Sequence, residues 1–175
     1  KTNWVAMCLQ NGGTQGYIND RPITTAMATT RAKGEFDVYI NHNPSGCCGT
    51  ERSNFGVAFV VSWNRDLSMD EMKFVSSFLR KGVEGGGGAA TCAGLIGLNA
   101  DKSGLSSIAS DMRACYDATS VNLDETTWGN QAPAQYTARL SGSNIKMQTD
   151  IVGQHGVVNN DLPYVSGTTS DKVSF

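Results

Sequence analysis

Hydrophobic and polar positions recur along this chain with changing period, and the changes divide it into elements. The run Asn3-Trp4-Val5-Ala6-Met7-Cys8-Leu9 is apolar on both faces and ends at Asn11-Gly12-Gly13, which predicts a buried strand inside a sheet, followed by a turn. Asp20 then precedes Pro22 at an early helical position, and Ile23, Ala26, Met27 and Thr30 recur at helical spacing until Gly34. That pattern predicts a short helix. From Glu35 to Asn41, Phe36, Val38 and Ile40 share one face while Asp37 and Asn41 face away, as in a half-buried strand. Phe55 to Trp63 carries large residues at every second position and predicts the central strand.

The best-marked element follows. Ser68-Met69-Asp70-Glu71 is a capping box, in which the serine hydroxyl and the glutamate carboxylate each bond the other residue's backbone N–H, and Leu67 and Met72 are placed to form a hydrophobic staple. The helix should turn Met72, Val75, Phe78 and Leu79 inward and end at Gly82, with Gly85 to Gly88 as a free loop. Thr91 to Leu98 reads as a strand, and Leu105, Ile108, Ala109, Met112 and Cys115 mark one face of a third helix beginning near Ser103. The rest is more polar, with a hairpin of Tyr136–Leu140 and Ile145–Val152 around Ser141-Gly142-Ser143 and a loosely ordered end from about Asn159. In order, the first hundred residues give strand, helix, strand, strand, helix, strand. This is the split β-α-β pattern of a ferredoxin-like sandwich, an α+β fold with an antiparallel sheet, here with an extra helix and a C-terminal hairpin. A single domain over 1–175 is expected, with its core at about 1–118 and a C-terminal extension at about 119–175.

Composition narrows the function classes. With 14 Lys+Arg against 16 Asp+Glu and a net charge of -2, the chain has no cationic field for contact with nucleic acid or anionic lipid. No apolar stretch approaches the roughly 18 residues that span a bilayer, and no charged-then-apolar leader opens the chain. The expectation is a soluble protein whose signal peptide, if it had one, is gone. Charged residues make up 17%, below a typical value of about 25%, and Gly, Ser, Thr and Asn are abundant, which leans the composition toward secreted proteins.

Five cysteines, Cys8, Cys47, Cys48, Cys92 and Cys115, are too few for a disulfide-dense miniprotein and too irregularly spaced for zinc. No metal or cofactor is expected. Cys92 and Cys115 form the preferred disulfide. Cys8 should pair with Cys47 or Cys48, because a bond between those adjacent residues would be strained. The odd cysteine is then free or bonds a second chain.

Candidate chemistry is sparse. Gly85 to Gly88 follows a helix and lacks the Lys-Ser/Thr that would make it a phosphate cradle. His42 and His155, with Glu51 and Arg52, supply the acid, base and anion-binding groups of a metal-free ribonuclease, although both histidines sit where solvated polar residues are ordinary. Cys47 or Cys48 is glycine-flanked and accessible to act as a nucleophile, with a structural half-cystine the preferred reading. No Gly-x-Ser-x-Gly elbow is present. Trp128, in a polar loop, either anchors a partner or packs beneath its own loop, the latter preferred. The favoured contact surface is the loop Asn43–Asn54, where His42, Glu51 and Arg52 cluster; Trp128 ranks next.

Val5-Ala6-Met7-Cys8, Asn11-Gly12-Gly13 and Thr29-Thr30-Arg31-Ala32 resemble the start of smut-virus killer toxins and the killer-toxin-like small secreted effectors of fungi. The resemblance implies an α/β sandwich with antiparallel strands, secretion, and action by binding, and in element order it covers roughly the first 115 residues. Those proteins are usually shorter and richer in cysteine, and their helix carries a Cys where this chain continues Thr30-Arg31-Ala32, so no functional residue carries over. The expected function is that of a secreted, disulfide-stapled, non-enzymatic effector or toxin-like protein that binds a protein or cell-surface partner. The alternative is a small secreted hydrolase, most specifically a metal-free ribonuclease.

Overall fold

The computed structural model describes residues 5–10, 15–24, 39–40, 54–84, 91–97, 107–132, 137–153, 156–168 and 172–174. It is an α+β structure in which every strand pair among the described residues is antiparallel.

The chain opens with a three-stranded sheet in the order β1-β2-β3, formed by β1 (Met7–Leu9), β2 (Gln15–Ile18) and β3 (Arg21–Thr24). Asn19 and Asp20 join β2 to β3 with φ of 48° and 63°, the left-handed pair of a tight hairpin turn. This corrects the helix start predicted at Asp20; the rest of that predicted helix, residues 25–34, lies outside the described residues. Pro22 lies opposite Tyr17 in β3, an outer strand of the sheet, where a missing N–H costs nothing. The prediction for β1 is corrected too, since it is an edge strand whose Cys8 is buried while Val5, Met7 and Leu9 are 61%, 58% and 41% exposed. Gly16 lets β1 seat against β2, because a Cβ there would lie 2.6 Å from Leu9 Cδ2 and 2.8 Å from the Cys8 carbonyl oxygen.

The predicted central strand is divided at buried Ala58 into β5 (Phe55–Val57) and β6 (Phe59–Trp63), which belong to different sheets. Helix α1 (Met69–Glu84) then starts at the predicted capping box. Ser68 Oγ accepts the Glu71 N–H at 3.3 Å, Glu71 Oε2 accepts the Ser68 N–H at 2.7 Å, and the staple residues Leu67 and Met72 are both buried. Met72 and Val75 face the core, and half-buried Phe78 and Leu79 pack against its clusters, as the spacing predicted. The helix continues past Gly82 to Glu84.

The next two elements are exchanged relative to expectation. Cys92–Ile96 is the helix α2, capped by Thr91, whose Oγ1 accepts the Gly94 N–H at 2.9 Å. After the short helix α3 (Ser107–Ser110), Met112–Asp117 is the strand β7, paired with β6. The Cys92–Cys115 disulfide is present, with Cα atoms 5.7 Å apart, but it joins a helix start to a strand.

Beyond a 3-10 helix at Ala118–Ser120, the chain is built of strands: β8 (Val121–Asn122), β9 (Thr127–Gly129), β10 (Thr137–Ser141), β11 (Lys146–Gly153), β12 (Gly156–Gly167) and β13 (Lys172–Ser174). One sheet runs β4-β13-β10-β9-β8, where β4 is Tyr39–Ile40, and another runs β11-β12-β5. The predicted hairpin of β10 with β11 is therefore absent, since those strands lie in separate sheets, and the region after Asn159 forms strands that pair with β5 and β4. Tyr116, Trp128, Ala138, Leu140, Val165 and Val173 form one buried cluster on which Phe55 and Val60 pack. Residues on both sides of 118 thus share this core. The ferredoxin-like order is not what the described elements follow, because six strands precede α1.

Candidate functional site

A cleft of about 800 Å³ opens between β1 and β6 over the apolar face of α1. Met7 to Gln10 and Phe59 to Asn64 line it, and beneath them lie Met72 and Val75, each 1% exposed, and half-buried Leu79. Its volume falls in the roughly 300–1,000 Å³ range of ligand clefts. The Gln10 side-chain amide donates to the Leu67 carbonyl oxygen at 2.9 Å, tying the end of β1 to the segment that leads into α1.

Strand register defines what the two walls offer. Opposed residues in an antiparallel pair alternate between bonded and non-bonded positions, so each strand directs alternate backbone groups to either side. The Asn19 N–H donates to the Ala6 carbonyl oxygen at 2.9 Å, which makes Ala6, and by alternation Cys8, the residues that bond β2. The N–H and C=O groups of Met7 and Leu9 therefore point away from β2, to the side where no strand pairs with β1 among the described residues. On β7, the Cys115 N–H donates to Asn130 Oδ1 at 2.9 Å, its carbonyl oxygen accepts the Gln131 N–H at 2.9 Å, and the Arg113 carbonyl oxygen accepts from Asn130 Nδ2 at 3.0 Å. Arg113 and Cys115 thus face outward, and Ala114 and Tyr116 bond β6 through Ser62 and Val60. Phe59 and Val61 direct their backbone groups to the side of β6 away from β7, where no strand pairs with it among the described residues.

The outer edges of these two small sheets are blunted, β3 by Arg21 and Pro22 and β7 by the Asn130 and Gln131 contacts. The inner edges, which border the cleft, carry no such device among the described residues. Between Lys1 and Asp20 the sequence has no charged residue and no proline, a signal of an unprotected edge that the strand prediction for Asn3–Leu9 passed over.

One end of the cleft is charged. Arg65 donates to both carboxylate oxygens of Glu71 at 2.9 and 2.7 Å and to Asp111 Oδ2 at 2.6 Å, clasping the start of α1 to the turn before β7. The Arg65 guanidinium, helped by the Ser68 N–H, holds the Glu71 carboxyl well below its usual range, at about 2. Glu71 and Asp111 together raise the Arg65 pKa. Asp66, beside this clasp, is exposed. Cys8, on the floor side of β1, is a free thiol that burial pushes up to about 11, so it stays protonated at neutral pH. This corrects the expected Cys8 bond to Cys47 or Cys48.

Of the residues singled out from the sequence, Trp128 is fully buried, its Nε1–H donating to the Asp117 carbonyl oxygen at 2.7 Å and its ring meeting Tyr116 edge-on at 5.8 Å. It packs beneath its loop and presents no surface to a partner. His42, Cys47, Cys48, Glu51, Arg52, His155 and the loop Gly85 to Gly88 lie outside the described residues. Asp117, unremarked in the sequence, proves to be a structural hub. Its buried carboxylate accepts from the Cys92 N–H at 2.7 Å, from Thr119 through both N–H and hydroxyl, and from Gln131 Nε2 at 2.7 Å, which pins α2 beside the disulfide.

Among the described residues no cluster of His, Cys, Asp or Glu is arranged to hold a metal ion, and no helix is long and apolar enough to cross a membrane. Comparison with protein-family models, curated proteins and solved structures finds no match.

Proposed function

We propose that this chain is a secreted, non-enzymatic effector or toxin-like protein that recognises a protein partner by strand addition in the β1–β6 cleft. The observation that carries the reading is the pair of strand edges, β1 and β6, that border the cleft without a partner strand there among the described residues. Backbone donors and acceptors of such an edge bind an extended segment whatever its sequence. The buried Cys92–Cys115 bond and the low charge content support an oxidising, extracellular setting. The resemblance to killer-toxin-like effectors belongs to the same proposal.

The register supplies a test. The Met7 N–H is not used by the β1–β2 ladder, so Met7→Pro removes an edge donor and blocks approach to β1 while sparing the bonds to β2. Peptides selected from a phage-displayed library on the wild-type chain should bind Met7→Pro at least about tenfold more weakly, the loss of about one charge-free anchoring interaction. The variant's melting temperature should stay within about 4 °C of wild type. Equal binding by the two folded proteins, or no peptide enriched on wild type, would overturn the reading.

A further inference from the structure

We infer that the sheet β1-β2-β3 is a lid over α1 that opens as one unit while the rest of the fold stays closed, with the turn at Asn19–Asp20 as its latch. The inference does not rest on the strand-addition reading, since it concerns the inner face of the sheet and needs no ligand. The three strands are consecutive, and both ladders join residues between Met7 and Thr24. The larger sheets instead pair β4 with β13 and β5 with β12, more than a hundred residues apart. Lifting the lid breaks none of those long-range ladders, and a contiguous stretch of this kind is the usual unit of sub-global opening. The lid is seated by one face. Cys8 and Tyr17 pack in the cluster with Leu67, Met72, Val75 and Ile108, whereas Val5, Met7 and Leu9 are exposed. Three strands of three or four residues do not hold their ladders once that inner face is wet, so undocking and loss of the ladder bonds are one event. Opening uncovers Met72 and Val75, which the closed lid keeps buried.

Polar bonds fasten the lid at two places. Beyond β1, the Gln10 side-chain amide donates to the Leu67 carbonyl oxygen at 2.9 Å. At the β2–β3 turn, the Asp20 N–H donates to Oγ of fully buried Ser76 at 3.2 Å, and Arg80 donates to the Asn19 carbonyl oxygen at 3.3 Å and to Asp20 Oδ2 at 3.2 Å. These turn bonds lie at the long end of the normal range. The turn also carries a cost in the closed form: Asp20 Oδ1 is buried and accepts no hydrogen bond. A carboxylate oxygen stripped of water without a donor favours the open form, in which water reaches it. The latch therefore holds the lid against an opposing force, and that sets its opening below the cost of unfolding the whole chain.

The test is native-state hydrogen exchange of the full chain, followed by NMR. The register places the amides of Cys8, Tyr17 and Ile18 in the ladders of the lid, and those of Val60 and Tyr116 in the β6–β7 ladder. In wild type the three lid amides should share one degree of protection, at least about tenfold below that of Val60 and Tyr116. Their exchange should also rise more gently with added urea, because opening exposes less surface than unfolding. Ser76→Ala removes the acceptor of the Asp20 N–H and should speed all three lid amides about fivefold, as one lost hydrogen bond allows; Gln10→Ala should speed the same three. Leu140→Ala, in the other buried cluster, should speed Val60 and Tyr116 about thirtyfold or more and leave the lid amides unchanged. Lid amides that follow Val60 and Tyr116 in Leu140→Ala, or in their urea dependence, would show that the lid opens only when the whole chain unfolds, which overturns the inference. A Ser76→Ala effect that reaches Ile18 and spares Cys8 would show that the sheet frays at its turn and does not open as a unit, which overturns it equally. Should Leu140→Ala fail to fold, the urea dependence of wild type decides alone.

Discussion

Replacing Glu71 by Gln tests whether the Arg65 clasp holds α1 to the rest of the fold. Glu71 accepts from Arg65 at 2.9 and 2.7 Å and from the Ser68 N–H at 2.7 Å, and its side chain is only 10% exposed. Its carboxyl titrates at about 2, against an ordinary 4.5. At about 1.4 kcal/mol per pKa unit that displacement is worth about 3 kcal/mol at neutral pH. Glutamine still closes a capping box, so the cap survives and the charge is what is lost. Arg65 keeps Asp111 and is 31% exposed, so water recovers part of the loss, and about 2 kcal/mol is expected. The sign with pH follows from the lowered value. In the unfolded chain Glu71 takes up a proton near 4.5, in the folded chain near 2, so its contribution is complete above pH 4.5 and fades as the pH falls toward 2. Urea denaturation of wild type and Glu71→Gln across that range should give curves well separated at neutral pH that converge in acid. A separation unchanged by pH would mean that the substitution acts through packing, and one under about 0.5 kcal/mol would mean that solvent screens the clasp.

The Cys92–Cys115 bond closes a separation of 23 residues, and replacing both cysteines by Ala should cost about 3 kcal/mol by loop-closure entropy, read from the denaturation midpoint. Peptide mapping of that material's wild-type parent should find Cys8 unalkylated by iodoacetamide at pH 8 until the chain is unfolded, since its thiol titrates near 11. Trp128→Phe keeps a ring in the cluster but removes the Nε1–H that donates to the Asp117 carbonyl oxygen, which still accepts from the Ser120 hydroxyl, for a loss of about 1 kcal/mol; an unchanged midpoint would show that bond to be dispensable.

Helix α1 and its cap were legible because every determinant lies within a few residues along the chain: Ser68 with Glu71, Leu67 with Met72, and an apolar stripe at helical spacing. The disulfide partners were legible as residues, not as elements. Short apolar segments such as Cys92–Ile96 and Met112–Asp117 satisfy helical and strand spacing alike, and pairing with β6, some fifty residues earlier, made the second one a strand. The turn at Asn19–Asp20 competed with a helix-start reading of Asp20 and Pro22, and won through docking. The Asp20 N–H donates to buried Ser76 Oγ at 3.2 Å, and Arg80 reaches the Asn19 carbonyl oxygen at 3.3 Å.

What the amino-acid order determined by itself was therefore the long capped helix, the disulfide pair and the mixed α+β character. Only the tertiary structure decided which strands lie at edges. An apolar run such as Val5–Leu9 reads the same whether a neighbour covers it or not, and its exposure depends on ladders closed elsewhere in the chain. The polar C-terminal strands became ordered for the same reason, because β12 and β13 find β5 and β4 more than a hundred residues away. The cleft is a consequence of both, left beside α1 where β1 and β6 do not pair with each other among the described residues.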